Sequence, residues 1–160
     1  MNDFIVRQYR ASDKAAVKEL YRLASVHSEI GYREGPWEKD FEDIENAYLK
    51  EGDFLVGVLD NKIVAMGAYE KISDTVGHIR RMRTHPEQRR KGFAQQIIQG
   101  LERSAKKNGL TELRLRTSTQ QEMAQSFYEK NRYKKLVAEK TFYTEGPFEV
   151  VWYGKKLAQT

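Results

Sequence analysis

The chain of 160 residues contains no cysteine. Disulfides, thiolate nucleophiles and cysteine-based zinc sites are therefore excluded. Its three histidines, His27, His78 and His85, are scattered and have no metal-ligand spacing, so no metal is expected. Unbroken runs of apolar residues and glycine, such as Phe54 to Leu59, are far too short to cross a bilayer. Met1 to Arg10 has neither an apolar signal core nor a cleavage pattern. Low-complexity tracts, internal repeats and linkers are missing too. Only three prolines occur, and each falls at a turn or loop: Pro36, Pro86 and Pro147. These absences predict a soluble, metal-independent, cytoplasmic protein. Residues 1–160 make a single domain of ordinary size.

The charge is mildly basic, 28 Lys+Arg against 23 Asp+Glu, for a net +5. The cations gather at Arg80, Arg81 and Arg83, at Arg89, Arg90 and Lys91, and at Arg114 and Arg116. Such a balance suits a phosphorylated ligand as well as nucleic acid. The aromatic residues are not interleaved with the cations as base stacking needs, so nucleic acid is not the expected partner.

One stretch organises the rest. Val76 to Thr84 reads as a strand, broken by His85-Pro86-Glu87. After Gly92, apolar residues at Phe93, Ala94, Ile97, Ile98, Leu101 and Ala105 have the spacing of one helical face. Lys106-Lys107-Asn108-Gly109 closes that helix with cations and a glycine stop. Arg89 to Ala94 is thus a strand-to-helix turn. Its glycine and small residue let an anion approach the free N–H groups and positive dipole end of the helix. The turn contains neither G-x-x-x-x-G-K-[ST] nor G-x-G-x-x-G. Taken alone, it also suits a solvated basic surface.

In order, the chain reads as a strand at Phe4–Tyr9 and an amphipathic helix carrying Val17, Leu20, Tyr21 and Ala24. A loop over Gly31–Pro36 precedes a second helix marked by Trp37, Phe41, Ile44 and Tyr48. Two strands, 54–59 and 62–69, are joined by Asp60-Asn61, a hairpin signal. The strand 76–84, the basic turn and its helix come next. Leu110–Thr117 alternates Leu113 and Leu115 against Arg114 and Arg116, a strand with one buried face. A helix capped by Ser118 or Thr119 turns Met123, Ala124, Phe127 and Tyr128 inward. Two last strands, 134–144 and 148–157, are separated by Gly146-Pro147. The order β-α-α-β-β-β-α-β-α-β-β predicts an α/β (α+β) fold, a mixed, mostly antiparallel sheet of about seven strands flanked by about four helices.

The stretch Met82-Arg83-Thr84-His85-Pro86-Glu87-Gln88-Arg89-Arg90-Lys91-Gly92-Phe93-Ala94 resembles motif A of the GNAT superfamily of N-acetyltransferases. That motif is a strand, a proline, then R/Q-x-x-G-x-G/A opening a helix, and Arg89, Gly92 and Ala94 fill its named positions. Phe127-Tyr128-Glu129-Lys130 resembles the family's motif B. The predicted element order also matches the family's fold over nearly the whole chain.

The resemblance implies acetyl-CoA, or another short acyl-CoA, as cosubstrate, a primary amine as acceptor, and direct attack in a ternary complex. The backbone of Met82, Arg83 and Thr84 would pair with the pantetheine amides. The turn Arg89, Arg90, Lys91, Gly92, Phe93 and Ala94 would take the pyrophosphate, and the strands 76–84 and 110–117 would part to admit the thioester. A lysine-like amine costs about 4.6 kcal/mol to neutralise at pH 7, so a base is needed. Tyr128 stands at the family's general-acid position, although its place on the apolar stripe reads equally as core. Where many relatives have a glutamate, this chain has Gly77-His78-Ile79-Arg80-Arg81. His78 is the only residue there of a type that exchanges protons near neutrality, so it is either the base or an ordinary strand histidine. Gln121 stands where relatives carry an asparagine and could hydrogen-bond pantetheine. Arg132 stands where motif B has a glycine. Glu29, Glu34 and Trp37 lie in the region that shapes the family's acceptor site, where Glu29 and Glu34 are further candidates for the base or for amine recognition. Together with acids at 38, 40, 42, 43 and 45, they hint at a cationic acceptor, although acids on a helix face are usually solvated. The alternative is a non-catalytic acyl-CoA-binding module, and the protein would be a monomer or homodimer.

Overall fold

The computed structural model describes residues 3–28, 35–143 and 146–158, with side chains described outside 137–148. Seven strands form one sheet: β1 (Phe4–Gln8), β2 (Asp53–Leu59), β3 (Lys62–Lys71), β4 (Val76–Thr84), β5 (Glu112–Ser118), β6 (Lys134–Tyr143) and β7 (Gly146–Lys156). Their order across the sheet is β1-β2-β3-β4-β5-β7-β6. Every neighbouring pair is antiparallel except β4 and β5. The hairpin between β2 and β3 turns on Asp60 and Asn61, both with positive φ, the geometry that tight two-residue turns require.

Helices cover both faces. The helix α1 (Lys14–Val26) buries Val17, Leu20, Tyr21 and Ala24 against one face, together with Phe41, Ile44 and Tyr48. The helix α2 (Phe93–Lys107) and the short α3 (Glu122–Lys130) cover the other face. Ile97, Ile98 and Leu101 are completely buried there, each contributing about 1.5–3 kcal/mol. A polar chain also ties α2 to the sheet: Ser104 donates to Asp53 at 2.6 Å, and Gln8 donates to the same carboxylate at 2.9 Å.

The second expected helix is not an α-helix. Pro36–Glu42 is a 3₁₀ segment and Glu45–Leu49 a π-helical turn, interrupted at Asp43 with φ −148°. The apolar spacing still marks the core, because Phe41, Ile44 and Tyr48 are all buried. The winding differs because Arg81 reaches across from β4 to this segment. Its Nη2 donates to the Trp37 carbonyl at 2.5 Å, and its Nε donates to the Asp40 carboxylate at 2.7 Å. Gly146 and Pro147 also do not separate the last two strands but pair with Tyr143 and Phe142 as the first residues of β7. Met123, expected inside, is 57 % exposed at the start of α3, while Tyr128 is buried.

Arg81 sits in a bulge. Met66 pairs with Arg83 and Ala68 with Arg80, so Gly67 alone faces both Arg81 and Met82. Arg81 takes φ +61°, costly for a residue with a Cβ. Its guanidinium lies between the rings of Tyr21 and Phe41, 4.9 and 4.8 Å from their centroids. Burial pushes the Asp40 carboxyl up, but hydrogen bonds and charge from Arg81 outweigh it, and the carboxyl ends below its ordinary range. We expect Asp40→Asn to cost about 3–5 kcal/mol, because a buried guanidinium loses its counter-charge. A depressed carboxylate contributes stability above its unfolded pKa and loses it as pH falls through the folded value. The gap between wild type and Asp40→Asn in urea melts should therefore be full at neutral pH and close in acid; a gap that stays constant down to about pH 2 refutes this origin.

Candidate functional site

The sheet comes apart at one place. β4 and β5 pair over three positions only, Val76 with Glu112, Gly77 with Leu113 and His78 with Arg114. Beyond them, residues 79–84 and 115–118 share no ladder, although β5 stays paired to β7 through Ser118. A bulge bends its strand and re-aims the residues after it, and the one at Arg81 lies where β4 departs. The backbone groups that Met82, Arg83 and Thr84 turn toward β5 therefore face a cleft.

The basic turn lies at the mouth of this cleft. Pro86–Gln88 makes a single 3₁₀ turn, capped by His85 Nδ1 accepting from the Glu87 amide at 3.1 Å. Arg90 and Gly92 then adopt φ +63° and +81°. Alternation of this kind turns successive amides to one side, as in an anion-binding nest. The first helical bond runs from Gln96 N–H to the Gly92 carbonyl, so among the described residues the amides of Phe93, Ala94 and Gln95 have no backbone partner. A Cβ on Gly92 would meet nothing within 4 Å, so the glycine is required by its φ and by whatever approaches it. Phe93 anchors this end by stacking on Phe4, centroids 4.0 Å apart. Arg89 turns its guanidinium to the His27 carbonyl at the C-terminus of α1, at 3.4–3.5 Å, and Lys91 donates to Gln88 at 2.7 Å. Among the described residues, the unclaimed donors of the turn therefore lie in its backbone, with Arg90 beside them.

Tyr128 comes from α3 and packs in a ring cluster with Phe127, Tyr133 and Tyr153. Its hydroxyl has no hydrogen-bond partner among the described residues. Burial pushes its pKa up to about 12, and the Arg83 charge pulls the other way. Both readings of this tyrosine are thus compatible: its ring is core and its hydroxyl is unclaimed. Gln121 uses Oε1 to accept from Thr117 Oγ1 at 2.8 Å and the Ser118 amide at 3.2 Å, leaving Nε2 to donate elsewhere. Arg132 takes φ +72°, the left-handed conformation that explains a glycine at this position.

His78 is the last β4 residue paired with β5, at the closed apex of the cleft. It lies four residues before Met82, about 13 Å along an extended strand. Its Nδ1 is 3.3 Å from Glu70 Oε1, and its ring is 5.5 Å from Trp152. The hydrogen bond from His78 lowers the Glu70 carboxyl below its ordinary range, aided by Arg80. The strand has no carboxylate of its own here, but across the ladder Glu70 pairs with His78 and sets one beside it. Sequence reasoning missed Glu70, because only the register makes them neighbours.

Three of the acids expected to attract a cation are engaged otherwise, while Glu42 and Glu45 are exposed. Asp40 holds Arg81, Asp43 accepts from Asn46, and Glu38 accepts from the Gly35 amide at 3.1 Å. Trp37 is partly buried and serves Arg81 through its carbonyl. Glu29 and Glu34 lie outside the described residues. Among the described residues, no group of three or more acidic or histidine side chains could hold a metal, and no helix is long and apolar enough to cross a membrane.

The sequence model of the acetyltransferase (GNAT) family matches residues 16–132. A search of curated protein sequences gives no significant match. Among solved structures, a GNAT-family acetyltransferase from Staphylococcus aureus Mu50 superposes with a TM-score of 0.84 at 16 % identity, covering 98 % of this chain and 100 % of that one. A putative acetyltransferase from Salmonella typhimurium, solved with its cofactor acetyl-CoA, gives 0.80 at 14 % identity over 98 % and 95 %. The PaiA N-acetyltransferase of Thermoplasma acidophilum, in complex with coenzyme A, gives 0.73 at 19 % over 96 % and 99 %. At these identities the likeness is one of fold.

Gly92 and Gly109 make a matched pair, since both have φ near +80° and neither is crowded. Alanine at either should cost about 1 kcal/mol of stability. Only Gly92→Ala should weaken coenzyme A, by about tenfold or more in calorimetric titration, because only there does a Cβ stand before the free amides. Equal affinities for the two variants would remove the turn from the binding site.

Proposed function

The chain belongs to the acetyltransferase (GNAT) family, and we propose that it transfers an acetyl group from acetyl-CoA to a primary amine by direct attack, with both substrates held where β4 leaves β5. The observation that carries this reading is the three-residue pairing of β4 with β5, opening toward the free amides at the start of α2. That arrangement suits a donor with a diphosphate at one end and an extended, amide-bearing arm at the other.

In this reading the amides of Phe93, Ala94 and Gln95 receive the diphosphate, with Arg90 and Lys91 adding positive field. Met82, Arg83 and Thr84 offer their β5-facing backbone groups to the arm, and Gln121 Nε2 adds a donor. The acceptor nitrogen attacks the thioester carbonyl. A carbon–nitrogen bond forms, the carbon–sulfur bond breaks, the amine gives up a proton, and the sulfur gains one. The Met82 N–H polarises the carbonyl oxygen. His78, held by Glu70, accepts the amine proton through water, since the strand places it too far for direct transfer.

Tyr128 supplies the proton to sulfur. With a pKa of about 12 it stays protonated at neutral pH. Donation to an ordinary thiolate, pKa about 8.5, is uphill by about 4.8 kcal/mol. Burial raises the thiolate's own proton affinity as well, so the true mismatch is smaller. Arg83 further eases release by stabilising the phenolate.

Thiol release from acetyl-CoA in the presence of an amine panel tests the reaction. Release should depend on the amine; binding of coenzyme A without release under any amine would instead mark an acyl-CoA-binding module. Tyr128→Phe should keep coenzyme A affinity within about twofold and lower kcat by about 10- to 100-fold. Unchanged turnover at saturating substrate ends the acid assignment. His78→Ala should flatten the acidic limb of the kcat/KM profile, and a limb that persists at its wild-type position places the base elsewhere.

A further inference from the structure

The arginines of β4 are not treated alike. Arg80 faces Glu70 at 3.7 Å, and Arg81 is locked to Asp40. On β5, Arg114 is paired with Glu112 at 2.7 Å. Arg83 has no carboxylate among the described residues. Its Nε donates to Ser25 Oγ at 3.2 Å, its Nη1 donates to the Met82 carbonyl at 2.7 Å, and its guanidinium lies 4.7 Å from the centroid of the Tyr21 ring. A partly buried guanidinium held only by neutral groups keeps its full charge. Burial accordingly pushes its pKa down, against the direction seen for the paired Arg81. Removing such a charge from water is costly unless an anion arrives.

Its location decides which anion. Arg83 directly follows Met82, whose carbonyl it binds, so it stands one residue from the amide that faces the thioester in the proposed reaction. It lies on the α1 side of the sheet, where Tyr21 and Ser25 reach it. Among the described residues the acids nearby are engaged: Asp40 by Arg81, and Glu70 by His78 and Arg80. A polyamine entering there would meet an uncompensated cation, whereas a planar carboxylate matches the guanidinium fork.

We propose that Arg83 binds the acceptor and that the acceptor is a small amino carboxylate, a free amino acid, whose carboxylate completes the ion pair while its amine faces the thioester. This names the acceptor class for the transfer reaction and rests on it.

The test uses the full chain, acetyl-CoA and thiol release with free amino acids, their C-terminal amides and spermidine. At least one free amino acid should exceed its own amide by about 30-fold or more in kcat/KM, with spermidine no better than the amides. Arg83→Gln should bring the acid-to-amide ratio to within about threefold, mainly through the acceptor KM, and Arg83→Lys should keep part of it. Should Arg83→Gln fail to fold, as judged by its melting curve, the wild-type ratio decides, together with product inhibition by the N-acetyl amino acid against its amide. Amides or spermidine acetylated as well as the free acids overturn this assignment alone. Coenzyme A binding with no acceptor of any class acetylated removes the transfer reaction and this assignment with it.

Discussion

The ion pair between Arg81 and Asp40 sits under the place where the sheet fails to close. A residue with a Cβ at φ +61° is strained, and a bulge that doubles two residues of β4 against Gly67 breaks the ladder. Both are held because the Arg81 side chain is fixed at every end: carboxylate, Trp37 carbonyl, and two aromatic faces. Buried ion pairs of this sort are weak sources of net stability, since desolvation offsets most of the attraction. Their use here is conformational. They favour one path for β4 over the straight one that would continue pairing with β5, and the cleft exists because that path wins.

The same pair explains which parts of the fold are legible in the sequence. Apolar spacing locates the buried residues of α1, of α2 and of the segment 36–49, because burial depends on which side chains line up. It does not give the winding of 36–49, because that is set by a guanidinium 41 residues away in sequence. The basic turn is legible because it is local: a proline, three cations, a glycine and a helix start, each acting on its neighbours. Glu70 is not, because a cross-strand neighbour depends on register, and register here is shifted by the bulge. Arg132 departs from the glycine of relatives, and its φ of +72° shows that the backbone shape is kept while the residue is changed.

Charge counts mislead where partners are invisible. The acids at 38, 40 and 43 suggest a surface for a cation, yet they serve an amide, a guanidinium and an asparagine. The cations of β4 read as one basic patch, yet Arg80 and Arg81 each have a carboxylate. What matters for a ligand is the remainder after such pairing, and on β4 that remainder is the arginine beside Met82. Counting formal charge and following each pair therefore point to different ligands, the first to a cation and the second to an anion.

Arg83 also bears on the proton balance of the proposed reaction. Tyr128 is hard to ionise because its ring lies in the core, and the nearby charge that opposes this is Arg83. A carboxylate seated on Arg83 would cancel part of that help while the acceptor is bound.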